Sequence, residues 1–479
     1  MYYYKYQKFK PLILLYINYL LNLIYIFIYV YKGLLRLVRP LTEKNICLKC
    51  KGSRNLCGKS RCPILLKTSI LKSIVPFEIG KSIRNVDIAG PSPPGFFVGH
   101  YNYPNVAVGP LVPFREFESR FNVTDYHVLD APELWFGKQM EELILYRSCL
   151  VRSNFVTNVK VGEQALKNNL DQKKKKLLET SQELSMAARP VDTEAKLEKL
   201  HLRMSLDNHT QPMGPSGTTK SIKITENVKV HPKVEYCVSD TDLKAQEAVA
   251  DQLYMKGNVP LSSIERVFAA GLLGEKNRRK LVPTRWSITA VDDIISKKLI
   301  EEIKKFPEIN DYRIFEAMYL DNHFKILLFP GKFTYEMNEV WAPNSLWNVD
   351  IFGNSKDKTP QVMTDYEFYE GRKTYASNIT GAYYAARKSV CEYLYKIKRQ
   401  ARILIFREVS SGYLVPLGVW VIRETVQHAM EGSIPIVLDN FNDSINKMGE
   451  GLTTSLRTWK SSSKLINFIK TQKTIDIFL

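Results

Sequence analysis

The chain has 479 residues, 45% apolar and 24% charged. That excludes a disordered, collagenous or small disulfide-stapled protein and leaves room for two cores. Its 68 Lys and Arg against 49 Asp and Glu give a formal charge of +19, a bias toward a polyanion or an anionic membrane surface.

Residues 1–39 form a hydrophobic leader. From Leu12 to Tyr31 twenty residues run without a charge, which meets the ~20 residues a membrane-spanning helix needs. Lys5, Lys8 and Lys10 precede the run and Lys32, Arg36 and Arg39 follow it, so the flanks give no orientation. No small-residue cleavage site follows, which argues against a removable signal. No methionine lies between Met1 and Met140. Two explanations stand: a start assigned too far upstream, which we expect, or a membrane anchor. Removing the leader takes six positive and no negative charges from +19 and leaves +13.

Residues 44–66 carry Cys47, Cys50, Cys57 and Cys62 in the pattern C-x2-C-x6-C-x4-C. Four thiolates at this spacing suit a tetrahedral structural Zn2+, and metal binding would supply much of the folding energy of so short a span. A disulfide pair or an iron–sulfur cluster are the alternatives. Lys49, Lys51, Arg54, Lys59 and Arg61 lie among the ligands without an acid, a small cationic knuckle suited to DNA phosphates.

Residues 67–345 read as a large N-terminal α+β domain. A short helix-and-strand lead-in over 63–90 is followed by 90–113, where six prolines and four glycines among aromatics predict turns between two extended runs, 96–101 and 105–109. Helical periodicity resumes over 130–147. Residues 160–205, with KKKK at 173–176, predict a solvated helix or helical hairpin, and 206–222 a mobile loop. Helices dominate from about 240 to 305, and antiparallel strands are predicted over 313–341. A boundary is expected at 342–360, then a smaller C-terminal α/β domain over 355–460. That unit should hold a helix over 377–400, strands near 402–408 and 413–421, and a helix near 423–431. Residues 461–479 are expected to be a flexible linker and terminal peptide, the stretch 460–471 being weakly structured and basic. The fold class is therefore mixed α+β.

Candidate chemistry is sparse. Asp365, Glu367 and Glu370, followed by Arg372 and Lys373, could bind Mg2+ and steer a phosphate, as a nuclease requires; a mixed-charge helix start has the same composition. The loop holding Phe96, Phe97, His100, Tyr101 and Tyr103 could stack a flipped base, with His100 as a base, or could be strands with edge tyrosines. Cys149, Cys237 and Cys391 are too scattered for a redox pair. The basic run Arg387, Lys388, Lys396, Lys398, Arg399 and Arg402 is the best second DNA-facing surface, unless it is an ordinary solvated helix face.

The chain ends QKTIDIFL. Gln472, Ile475, Phe478 and Leu479 fall at i, i+3, i+6 and i+7, so one tight helical turn would gather the apolar three into a plug. The pattern resembles the peptide by which repair and replication proteins bind the PCNA sliding clamp, with Leu479 where a second aromatic is usual. The order of knuckle, mixed domain and clamp peptide resembles the archaeal Nre family of DNA repair proteins. The segments that carry the resemblance are the knuckle, SPPGFFVGHYNYPNVAVGPLVP (92–113), APELWFG (131–137), ELSMAARPVD (183–192) and the tail. The resemblance runs from about residue 44 to residue 479. It implies a role in DNA damage repair, a four-cysteine metal site and PCNA binding, and hands over no catalytic residues. The expectation is a cytoplasmic, nucleoid-associated protein without a membrane partner that binds DNA and is tethered to the clamp. The alternative is a clamp-tethered enzyme, either a DNA nuclease or a DNA glycosylase.

Overall fold

The computed structural model describes residues 50–56, 61–74, 82–113, 125–160, 172–202, 211–343, 345, 348, 360 and 362–471. Among these residues the chain is mixed α and β, with twelve α-helices and two six-stranded sheets.

The first sheet and its cover are α1 (Pro63–Ile74), β1 (Ser82–Ser92), β2 (Phe96–Val98), β3 (Asn105–Pro113), α2 (Met140–Ser148), β4 (Leu150–Asn158), α3 (Gln172–Met186), β5 (Val191–His201) and β6 (Ser216–Ile224). The strand order is β1-β5-β6-β4-β3-β2. The β4–β6 pair is parallel and the other pairs are antiparallel. Two expectations are corrected here. Of the predicted helical stretch 160–205, residues 161–171 and 203–205 lie outside the described residues; among the described ones the helix is α3, where Lys173 to Lys176 are exposed as expected, and Val191–His201 form β5 instead. The sequence VDTEAKLEKLH has a period of two: Val191, Thr193, Ala195 and Leu197 are buried while Asp192, Glu194, Lys196 and Glu198 are exposed. Of the expected mobile loop over 206–222, residues 206–210 lie outside the described residues and 216–222 belong to β6, which pairs antiparallel with β5. At the other end of the sheet Gly109 lets β3 approach β4, since a Cβ there would fall 1.8 Å from the Ser153 carbonyl oxygen.

A helical layer follows: α4 (Pro232–Ser239), α5 (Ala245–Glu247) running into a π-helix (Ala248–Met255), α6 (Leu261–Ala269) and α7 (Thr284–Ile303). Beyond it lie β7 (Tyr312–Tyr319), β8 (Asn322–Phe329), β9 (Thr334–Trp341), β10 (Val362–Glu367), α8 (Gly381–Ile397), β11 (Arg402–Val409), α9 (Trp420–Gly432), β12 (Ile436–Leu438), α10 (Phe441–Gly449), α11 (Leu456–Ser462) and α12 (Lys464–Thr471). The second sheet has the order β10-β9-β11-β8-β7-β12, with β9 and β11 parallel. β9 and β10 pair as neighbours, so strands from both sides of the expected boundary at 342–360 share one sheet. The strand expected near 413–421 is instead irregular chain entering α9.

β11 is buried along nearly its whole length because both faces of the sheet are covered. Ile403 and Ile405 join the main core with α7, α8 and α9, while Leu404 and Phe406 pack against Ile445, Met448, Trp459, Leu465 and Ile466 of the last three helices. The segment expected to be weakly structured is therefore a docked pair of helices. Trp459 is fully buried and its ring lies 4.6 Å from that of Phe406 at 16°. Two glutamates on the sheet pin this region through the backbone. Glu336 accepts N–H bonds from Lys464 (3.1 Å) and Leu465 at the start of α12, and Glu408 accepts them from Thr453 (2.8 Å) and Thr454 (2.7 Å). A carboxylate suits a helix start because the first N–H groups have no partner inside the helix.

Candidate nucleic-acid interface

The proline- and glycine-rich turn between β2 and β3 exposes its aromatics. Val98 N–H donates to the Thr284 hydroxyl at 2.9 Å and so ties β2 to the start of α7. Gly99 N–H donates to the Ala107 carbonyl and Asn105 N–H to that of Asn102, closing the turn. Phe96 is buried, and the Arg152 guanidinium lies 5.8 Å from the Phe97 ring. Tyr101 is 76% exposed and Tyr103 49%. Their neighbours are His100, whose ring lies 4.2 Å from that of Tyr101, and Trp286 on α7, whose ring lies 5.3 Å from that of Tyr103. Trp286 is 47% exposed and Tyr375, on a separate loop, is 54% exposed. Burial and then the charge of Arg285 hold the His100 imidazole below its ordinary value. Sequence reasoning missed Trp286, Arg285 and Tyr375, which come to this face only through the packing of α7 and the loop after β10.

Backbone hydrogen bonds tie a cationic stretch of chain to this turn. Val159 N–H donates to the Pro104 carbonyl and Leu281 N–H to that of Val159, and Lys160 and Lys280 form an antiparallel bridge. Lys160, Lys280 and Arg285 are exposed, and none has an acidic partner among the described residues.

The carboxylates expected to hold Mg2+ are placed differently. Asp365 and Glu367 lie on the same face of β10 and are buried; Glu370 is exposed in the following turn. Asp365 pairs with Arg372 at 3.1 Å and accepts the N–H groups of Asn378 (2.9 Å) and Ile379 (2.8 Å). Arg372 in turn donates to the carbonyls of Tyr366, Thr374 and Tyr375, so Asp365 shapes the loop that presents Tyr375. That loop ends at Thr380, a β-branched residue held at φ 61°, a conformation that costs on the order of 1–3 kcal/mol. Glu367 receives both bonds of Arg387 Nη1, at 3.0 and 3.1 Å. His100 lies on the turn after β2, near Arg285, and belongs to the aromatic face.

The second DNA-facing surface expected over 387–402 is corrected for its first two members, while Lys396, Lys398 and Arg399 are exposed. Arg387 and Lys388 are buried at 1% and 4% exposure, because α8 packs between α7 and α9. Arg387 holds Glu367 and Asp293, and Lys388 pairs with Glu392 at 2.7 Å. Arg423 on α9 binds Asp292 and Glu265, each at 2.8 Å. Burial pushes the Glu265 carboxyl up to about 7 against the pull of Arg423. These charges cross-link the helical layer internally. Lys396 pairs with Glu431, and Lys398 lies over the Tyr395 ring.

Of the knuckle, Cys50 and Cys62 are described, and Cys47, Cys57, Lys49 and Lys59 lie outside the described residues. Burial raises the Cys50 thiol, but hydrogen bonds from the backbone N–H groups of Leu56, Arg54, Gly52 and Asn55 outweigh it and leave the thiol below its ordinary value. Such a cradle stabilises a thiolate and fits a metal ligand. Gly52, at φ 80°, makes the turn, and a Cβ there would meet Leu65 at 2.8 Å. Cys62 precedes α1, its carbonyl accepting the Leu66 N–H. Lys51 and Arg54 are exposed, whereas Arg61 pairs with Glu141. Among the described residues no group of three or more His, Cys, Asp or Glu is placed to hold a metal. The clamp-peptide residues Gln472, Ile475, Phe478 and Leu479 also lie outside the described residues. No helix among the described residues is long and apolar enough to cross a membrane.

A two-sheet α+β chain with an N-terminal cysteine turn and a terminal helix pair defines the class, and comparison with known proteins fixes its family. The description of the archaeal Nre N-terminal region matches residues 56–348, and that of the archaeal Nre C-terminal region matches 367–478. DNA repair protein NreA of Archaeoglobus fulgidus is 38% identical over 83% of this chain and 92% of its own length. NreB of the same organism is 34% identical over 88% and 96%, and NreA of Haloferax volcanii 33% over 83% and 90%. No solved structure matches the chain. The chain belongs to the archaeal Nre family.

Proposed function

We propose that this chain is a DNA repair protein that contacts DNA through its cysteine knuckle and is tethered to the PCNA sliding clamp by its last eight residues. The observation that carries the reading is its kinship, over most of its length, with proteins named DNA repair proteins. The Cys50 cradle supports the knuckle: Cys47, Cys50, Cys57 and Cys62 would hold a Zn2+, which fixes the turn. Lys51 and Arg54 beside it are free to meet phosphates. The tail begins one residue after α12, so a clamp bound there would sit close to the folded body rather than on a long tether. Clamp binding raises the local concentration of the chain at DNA. A nucleoid-associated cytoplasmic location follows from these partners.

An adaptor is favoured over a nuclease because Asp365 and Glu367 are committed to Arg372 and Arg387, and the adaptor recruits other factors to damage. The test is a pair of charge and tail variants of the full chain. Arg54→Glu with Lys59→Glu should weaken DNA binding by about tenfold and flatten its salt dependence, and Phe478→Ala should abolish clamp pull-down. Unchanged DNA binding and retained clamp binding would remove the two halves of the reading separately.

A further inference from the structure

We propose that the face built by Tyr101, Tyr103 and Trp286, rimmed by Lys160, Lys280 and Arg285, binds unpaired bases of single-stranded DNA. This rests on the DNA-binding reading above and names the form of DNA and the surface that takes it. Three separate parts of the fold converge there: the β2–β3 turn, the start of α7, and the bridged chain at Lys160 and Lys280. A monomer's exposed large rings need no explanation when scattered. Here two of them lie 5.3 Å apart on different elements, and a third is 76% exposed at the tip of the same turn.

Base stacking needs an accessible π-face, and the spacing of successive bases needs cations alongside for the phosphates. Lys160, Lys280 and Arg285 have no acidic partner among the described residues, so no internal ion pair has to break when a phosphate arrives. A duplex hides the faces of its bases inside the stack, so it would have to be unstacked, at a cost of a few kcal/mol per step, before rings that project from a turn could reach them. A purely apolar protein partner would leave the three cations without a counter-charge, which costs free energy on burial. The face therefore fits a polyanion that carries exposed flat rings.

The experiment is an anisotropy titration of the full chain with a labelled single strand, the matching duplex, and RNA of the same sequence. The wild-type chain should prefer the single DNA strand. Tyr101→Ala and Trp286→Ala should each weaken single-strand binding by about tenfold, with duplex binding changed less than about twofold and Trp286→Phe retaining most of the affinity. Lys160→Glu with Lys280→Glu should weaken single-strand binding and reduce its salt slope. Tyr101 is so exposed that its loss leaves the fold intact, which keeps the test free of unfolding. Equal affinity for single strand and duplex, single-strand binding unmoved by the two alanine variants, or a preference for RNA would each overturn the inference. If in that case the duplex is still bound and the Arg54→Glu, Lys59→Glu chain binds it less well, the knuckle reading stands without it. Absence of binding to any DNA would sink both.

Discussion

At the residue scale the protein spends its buried charges on holding helices together. Arg387 and Arg423 are each almost fully enclosed, and each holds two carboxylates contributed by other parts of the chain. Breaking such a pair from one side leaves a charge without a partner, which is why isolated substitutions there are costly. Glu265 is the group whose titration reports on this network. Burial raises its carboxyl from an ordinary 4.5 to about 7, so the native chain binds a proton there that the unfolded chain has released. Its stabilising contribution is complete below about pH 4.5 and is lost as pH rises through about 7. Glu265→Gln stays neutral throughout and should reduce the fall in the urea midpoint across that interval; an unchanged fall would contradict the assignment. From sequence, Asp365, Glu367, Arg387 and Lys388 had looked like a metal site and a DNA-facing helix. Residue type alone cannot tell a free carboxylate from one committed to an arginine elsewhere in the chain, and only the packing of α7, α8 and β10 decides it.

At the element scale, legibility followed periodicity. The strands over 312–341, β11 and the helix α8 were readable because their apolar residues recur at the period of the structure they adopt. β5 was misread because its exposed positions carry Glu and Lys, the composition of a solvated helix, while the two-residue alternation of Val191, Thr193, Ala195 and Leu197 was the stronger signal. The last two helices were misread because KSSSKLINFIKT offers only a short apolar cluster. What orders it is remote: Trp459 stacked on Phe406, and Glu336 on β9 accepting the first N–H groups of α12. Glu336→Ala should therefore cost about 1–3 kcal/mol, the penalty for leaving those donors without a partner. It should also raise amide exchange over 464–471 before the rest of the second sheet. Uniform exchange across the sheet would show that the cap does not hold this segment.

At the scale of the whole molecule, the family and the mixed α+β class were legible in the sequence, while the knuckle and the terminal peptide it proposes have key residues outside the described ones. It expected two domains where the second sheet takes strands from either side of residues 342–360. The join was hidden because β9 and β10 are neighbours in space while a long connection separates them in sequence. The aromatic turn was half legible: Tyr101 and Tyr103 could be seen from the sequence, but Trp286 reaches them only through the Val98–Thr284 bond and the docking of α7. The initial +19 is now partly accounted for. Some cations are internal, as in Arg387, Lys388 and Arg423, and others stay exposed beside the rings and on the knuckle.

The central claim, that these exposed cations meet DNA, is tested most directly by the salt dependence of affinity. Anisotropy titrations of the full chain with a partly single-stranded duplex should give log K falling linearly with log salt. About five contacts, from Lys51, Arg54, Lys160, Lys280 and Arg285, predict a slope of roughly −4. A salt-independent affinity, or no saturable binding at any salt concentration, would contradict the account.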